Sequence, residues 1–234
     1  MTNRPVCVVV GVGVGNGAAF ARAFDREGYA LALLARTTAF GDELARTLTE
    51  ARAFACDVAD PGAVERAFAD VRAALGEPEV VIYNAGSGVF TGFEATSLGD
   101  FEASWRVNAL GAFATAKQVV PAMKRTGRGT LVLVGATASQ RGGPMTSAFA
   151  AAKAAQRSLA ESLAREFWPA GVHVALLVID GVVDLPRSRA RMPDKPDEFF
   201  VKPDDVAASA VAIARQPRSA WSFEIVARPF GERW

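Results

Sequence analysis

The chain has 234 residues, half of them hydrophobic and 22% charged, with a formal net charge of +1. That length suits one α/β domain with a large core and is short for two. The near-neutral balance gives no electrostatic reason for a nucleic-acid or membrane partner, and the longest apolar runs fall far below a membrane span.

Met1-Thr2-Asn3-Arg4-Pro5 leads straight into a strand-like run. That leaves no room for a secretory signal, so the expected address is cytoplasmic. Cys7 and Cys56 are the only cysteines. Each sits in or beside an apolar segment, which favours buried free thiols over a disulfide, with a redox pair as the lesser alternative. His173 is the single histidine, so no histidine-based metal site is expected. It lies in an apolar run and reads as a packed core residue.

In chain order, strands are expected over 6–10, 30–35, 52–56, 80–83, 130–134, 173–179 and 222–227. Most are Val, Leu and Ile runs without polar alternation, as parallel strands covered on both faces require. Asp60-Pro61 and Lys202-Pro203 look like helix starts with proline in the first turn. Residues 146–168 read as one long helix, with Arg157, Glu161 and Arg165 forming a solvated polar line. The alternation implies an α/β fold: a single-domain Rossmann fold over residues 1–234, with a doubly wound, mostly parallel seven-stranded sheet and helices on both faces.

The first strand ends in Gly11-Val12-Gly13-Val14-Gly15-Asn16-Gly17, and a helix-like run follows at once. Glycine lets the backbone turn tightly and approach a pyrophosphate without a Cβ in the way. The helix behind then offers free N–H groups and its positive dipole end to the anion. Gly11, Gly15, Asn16 and Gly17 are therefore candidate dinucleotide contacts. After the second strand the chain reads Ala35-Arg36. An acid there would bind the ribose 2′-hydroxyl of NAD, whereas arginine suits a 2′-phosphate. Arg36 favours NADP over NAD; a solvated arginine at a strand end is the plainer alternative.

The spacing of Gly11, Gly15 and Gly17, together with Asn84-Ala85-Gly86 after the fourth strand, resembles the short-chain dehydrogenase/reductase family. The similarity runs over about residues 5–230. It implies that Asp57 and Val58 contact the adenine, that Asn84, Ala85 and Gly86 line the cofactor, and that Gly181 and Val183 hold the nicotinamide amide. It also implies structural-catalytic roles for Asn108 and Lys153, with Lys153 able to bind the nicotinamide ribose. In the family a tyrosine one helical turn before the lysine moves the substrate proton, and a serine polarises the substrate oxygen. Here Phe149 stands at the tyrosine position and Ala136 at the serine position. Thr137, Ser139, Ser147, or water held by Lys153 and Asn108, are the candidate replacements.

Residues 185–201, with Pro186, Pro193 and Pro196, are long for a connection and suggest a lid or binding loop. Arg187, Arg189, Arg191 and Lys195 could meet an anionic substrate. Asp194, Asp197 and Glu198 make a balanced, solvated loop the favoured reading. Trp221, Phe223, Phe230 and Trp234 suggest a tail that packs on its own domain or a neighbouring subunit. The resemblance implies a homodimer or homotetramer acting on a small-molecule substrate. Two functional readings follow: an NADP(H)-dependent oxidoreductase with a depleted set of catalytic groups, or a non-catalytic NADP(H)-binding protein, such as a redox sensor or inactive partner subunit.

Overall fold

The computed structural model describes residues 3–231. Its main sheet contains β1 (Val6–Val10), β2 (Ala30–Ala35), β3 (Ala51–Ala55), β4 (Pro78–Tyr83), β5 (Gly129–Ala136), β6 (Val172–Ile179) and β9 (Glu224–Ala227). The order is β3-β2-β1-β4-β5-β6-β9, with every pairing parallel. The chain winds outward from β1 through β2 to β3, then crosses back to lay β4 on the other side of β1. That reversal opens a crevice above the carboxyl ends of β1 and β4. Val10 pairs with Leu34 on one side and Tyr83 on the other, so the segments after these residues emerge together.

Alternation along β1 shows why both faces must be covered. Val6, Val8 and Val10 join one apolar cluster, while Cys7 and Val9 join another. The first cluster receives α3 (Pro61–Ala74), α5 (Gly111–Thr126) and α6 (Ser147–Phe167) through Phe68, Val119 and Ala160. The second receives α1 (Asn16–Arg26), α2 (Ala39–Ala45) and α8 (Pro203–Arg215) through Phe20, Phe24, Leu44 and Ile213. Asp60 caps α3 by accepting from Gly62 N at 2.9 Å, with Pro61 at the first helical position. On α6 the polar line forms as expected, with Arg165 2.7 Å from Glu161.

Several expectations shift. β5 extends to Ala136, and β9 begins at Glu224 instead of Ser222. Residues 185–201 are not structureless. They contain α7 (Pro186–Arg191) and end in β8 (Phe200–Val201), which pairs with β7 (Val182–Val183). Asn108 lies not in a regular helix but in a π turn, Arg106–Leu110, between α4 (Leu98–Trp105) and α5. His173 is buried and stacks on Trp221, with ring centroids 4.6 Å apart. Cys7 and Cys56 are buried free thiols. The tail divides: Trp221 and Phe223 pack inward, Phe230 is 89% exposed, and Trp234 lies outside the described residues. Among the described residues, no helix is long and apolar enough to cross a membrane.

Candidate active site

The crevice is built around glycine. Gly11 has φ +91°, and a Cβ on it would lie 2.5 Å from the Ala85 nitrogen. Only glycine meets both demands. Gly11 N and Val12 N donate to Leu34 O at 2.8 and 3.0 Å, tying the turn to the end of β2. Asn84 donates through Nδ2 to Gly11 O at 2.7 Å, tying it to the end of β4. Gly17 lets α1 start against the turn, since a Cβ there would meet Gly11 O at 2.8 Å. Gly13 faces open space. Asn16, first residue of α1, has its Oδ1 buried without a hydrogen-bond partner.

Arg36 is exposed just past β2, two residues beyond the carbonyl that anchors Gly11. It makes no ion pair or side-chain hydrogen bond among the described residues. Asp57 is exposed after β3 and accepts from Ala59 N at 3.0 Å; Val58 beside it is buried. Both lie on the β3 side of the crevice.

On the β4 side, the extended segment after Asn84 faces two buried polar groups. A Cβ on Gly86 would lie 3.4 Å from Asn108 Oδ1 and 3.7 Å from Lys153 Nζ. Asn108 donates through Nδ2 to Ser87 O at 2.7 Å and to Ser104 O at 2.8 Å. Two carbonyls at the nitrogen fix the amide orientation and leave Oδ1 buried without a partner. The π turn supplies this placement, since the widened helix aims the side chain inward. Tyr83 braces it by donating from its hydroxyl to Val107 O. Lys153, on α6, is 5% exposed and donates to Val134 O and Gln156 Oε1, both at 2.9 Å. Burial without a carboxylate partner pulls its ammonium down to about 7.

One turn before Lys153, the half-buried Phe149 ring packs against Phe90, centroids 5.2 Å apart. A Cβ on Gly88 would lie 2.9 Å from each ring. Ala136 ends β5 half-buried, and its N–H donates to Ser139 Oγ at 3.1 Å. The Ser139 hydroxyl thus braces the loop. Thr137 donates to Asp180 Oδ1 at 2.5 Å. Asp180 is buried at the end of β6 and meets Arg228 at 2.8 Å. Ser147 is exposed at the start of α6.

Gly181 follows Asp180, and a Cβ there would lie 2.8 Å from Pro229 and from Val201. Its lack of a side chain lets the tail and β8 close over this edge. Val183 is half-buried in β7. Next to it, Asp184 receives Arg189 at 2.6 Å and Lys202 at 2.7 Å. Asp197 pairs with the same Arg189 and, at 2.8 Å, with Lys202. These bonds hold the Asp184 carboxyl well below the usual carboxylate range. So Arg189 is occupied within the loop, and the balanced reading of 185–201 fits better than an anion site. Leu185 continues from this clasp to cover the phosphate turn, its Cδ2 2.5 Å from a Cβ built on Gly15.

The structure therefore gathers Gly11, Gly15, Asn16, Gly17, Asn84, Ala85, Gly86, Asn108, Phe149 and Lys153 around one crevice. Phe90, Asp180, Gln156 and Leu185 were not singled out from the sequence. Asp180 precedes the flagged Gly181, which was the one available signal. Phe90 lies in a loop with no periodicity to mark it.

The chain matches the short chain dehydrogenase family over residues 5–194. It is 32% identical over 239 aligned positions to 4-formylbenzenesulfonate dehydrogenase TsaC1/TsaC2 of Comamonas testosteroni, covering 93% of each chain. It is 29% identical to D-threitol dehydrogenase of Mycolicibacterium smegmatis, covering 89% of this chain and 85% of that one. An alcohol dehydrogenase from the archaeon Thermococcus sibiricus, solved with 5-hydroxy-NADP, superposes with a TM-score of 0.86 at 30% identity, over 97% of this chain and 98% of that one. With the parallel sheet, the glycine turn and the crevice in place, the chain belongs to the short-chain dehydrogenase family.

Proposed function

We propose that this chain is an NADP(H)-dependent oxidoreductase that acts on a small molecule with a depleted set of catalytic groups. The observation that carries the reading is the pairing of buried Lys153 with the orphaned Asn108 Oδ1, both facing Gly86 beside the glycine turn. Burying both groups in the crevice is costly unless a ligand or water completes them. The residues fit a dinucleotide: a glycine cradle, an unpartnered Asn16 acceptor and an unpaired Arg36 where a 2′-phosphate would lie. The neighbour solved with 5-hydroxy-NADP supports that cofactor. When bound, a nicotinamide supplies or accepts a hydride. Lys153 would hold ribose hydroxyls, with Asp57 and Val58 at the adenine and Gly181 and Val183 beside the nicotinamide.

In this reading Phe149 and Ala136 stand where a tyrosine and a serine would touch a substrate oxygen. Neither carries a hydroxyl. Thr137 has one, but donates it to Asp180. Ser139 serves as an acceptor for Ala136 N and Ser147 is exposed, so the proton route favoured in this reading is water held between Asn108 Oδ1 and Lys153. A second reading, a non-catalytic NADP(H)-binding protein, is favoured by the packing of Phe149 on Phe90, which fills the proton donor's place with ring carbon. Exposed Phe101, Trp105 and Phe113 on α4 and α5 support self-association as a homodimer or homotetramer.

Calorimetric titration with NADPH and NADH, on the wild type and Arg36→Ala, tests the cofactor. We expect NADPH to bind at least about tenfold tighter and the variant to lose that preference. Equal affinities would remove Arg36 from the site. Stoichiometric NADPH binding without turnover on a broad carbonyl, enoyl and imine panel would select the second reading.

A further inference from the structure

We infer that, on the reading of this crevice as a dinucleotide-dependent reductase, its substrate class is a cationic carbon–nitrogen double bond, an iminium ion, and not a ketone or aldehyde. The groups around the reacting position carry this inference. Reduction of a carbonyl builds negative charge on oxygen, which a site must meet with donors or an acid. Here the wall facing Gly86 and Gly88 holds two phenyl rings, an acceptor oxygen and one buried amine. Phe149 and Phe90 present ring carbon at 2.9 Å from the Gly88 Cβ position. Asn108 is fully buried behind Gly86 and offers the wall no donor, because Nδ2 is spent on Ser87 O and Ser104 O. Ala136 adds a methyl group. The Thr137 hydroxyl is committed to Asp180, which Arg228 balances.

Such a wall is matched to positive charge. Aromatic faces attract cations through their quadrupole. The one cation in the wall, Lys153, is buried and donates to Val134 O and Gln156 Oε1, and burial lowers its hold on the proton, which weakens its opposition to a second positive charge.

An iminium acceptor also needs neither missing group. The substrate carbon gains a hydride from the reduced nicotinamide dinucleotide. The C=N π pair becomes the nitrogen lone pair, and the product is a neutral amine. The dinucleotide leaves oxidised, and no proton is transferred in the step. Loss of tyrosine and serine hydroxyls, costly for a carbonyl, thus costs little here.

The test uses the N-methyl dihydroisoquinolinium ion and tetralone, bicyclic molecules of similar size that differ in charge and in the reacting bond. Each is titrated calorimetrically into the wild-type complex with a tetrahydronicotinamide dinucleotide that cannot give up hydride. We expect the cation to bind roughly 3- to 30-fold tighter than tetralone, and Phe90→Leu to remove most of that difference. Phe90 is 59% exposed, so the variant should fold. With NADPH, the cation should be reduced and tetralone should not. Equal affinities, no binding of the cation, or faster reduction of tetralone would overturn the substrate class while leaving an NADPH-binding oxidoreductase intact. Failure to bind NADPH at all would overturn both.

Discussion

Leu185 covers Gly15: its Cδ2 stands 2.5 Å from the point a Gly15 Cβ would occupy. The 185–201 segment and the glycine turn therefore meet where any side chain on Gly15 must displace Leu185. Gly15→Val should push Leu185 away and fill the space a pyrophosphate needs. Calorimetry should show NADPH binding weakened by about 100-fold or more. A folded variant with normal affinity would place the phosphate turn elsewhere.

The 185–201 segment is held by charge. Asp184 and Asp197 share Arg189 and Lys202. Ser188 N and Met192 N close the backbone of α7 within it. Asp184→Asn should raise hydrogen-exchange rates of these amides by about two- to fivefold, the worth of a largely exposed ion pair. The Asp184 carboxyl is depressed when folded, so its contribution is complete above the ordinary aspartate value. It fades as pH falls below that value. The difference between wild type and variant should be full at pH 7 and shrink steadily as pH falls from about 4 to 2. A constant difference down to pH 2 would show that Asp184 titrates normally.

Lys153 makes the opposite kind of prediction. Its folded value lies near 7 against 10.5 for the free side chain. Between those values the unfolded chain binds the extra proton, so stability gains from this group as pH rises from 7 to about 10. Below 7 both states are protonated and the gain is absent. The slope should approach ~1.4 kcal/mol per pH unit. Other groups titrate in the same range, notably Tyr29 and Cys56, both raised by burial. Urea unfolding of wild type against Lys153→Met isolates the lysine. Parallel pH profiles would mean that its ammonium is solvated.

How much was legible depended on whether function is written in local backbone. Gly11 is demanded by its positive φ and Gly17 by the close approach of Gly11 O, so the tight turn between β1 and α1 could be read directly. Valine-rich strands at the right intervals gave the sheet, because parallel strands buried on both faces carry no polar alternation. The neighbours of Lys153 were hidden. Phe90 reaches Phe149, and Thr137 reaches Asp180, across long sequence separations that no period encodes. The order of residues 185–201 was not legible, since it comes from four side chains meeting across 184–202 and from a pair of two-residue strands. The tail failed in part because aromatic content alone does not say which rings find partners.

That division of the tail has a measurable consequence. Trp221 stacks on His173 with the planes 1° apart and donates from Nε1 to Gln216 O at 3.1 Å. Trp221→Ala should cost about 2–3 kcal/mol, roughly 5 °C or more in melting temperature. Phe230→Ser should leave the melting temperature of the monomer unchanged, since that ring is 89% exposed. A drop with Phe230→Ser accompanied by dissociation would assign the ring to a subunit interface.

In the proposed function, Phe149 and Ala136 stand where two hydroxyl groups would act, and restoring both hydroxyls tests that assignment. Phe149→Tyr adds one oxygen to a ring already half-buried against Phe90. Lys153 is one turn away on α6. In its charged form it would lower the new phenol from the usual ~10 towards neutrality. Ala136→Ser places a small donor at the end of β5, whose N–H is already held by Ser139. Acid and donor would act on one oxygen, so their effects should be interdependent. NADPH oxidation with ketones, aldehydes and quinones should rise in the double variant by more than the product of the two single effects. Each restored group is worth ~10²-fold or more when it engages the transition state. Reduction of the iminium ion should change little by comparison, because the new hydroxyl leaves the aromatic face in place and that step transfers no proton. A flat carbonyl response with intact NADPH binding would show that the Phe149 ring closes the crevice to substrate oxygen, and would favour a binding protein. A wild type already faster than the double variant on ketones would mean that the phenyl ring belongs to a working carbonyl mechanism with a proton route other than the α6 position.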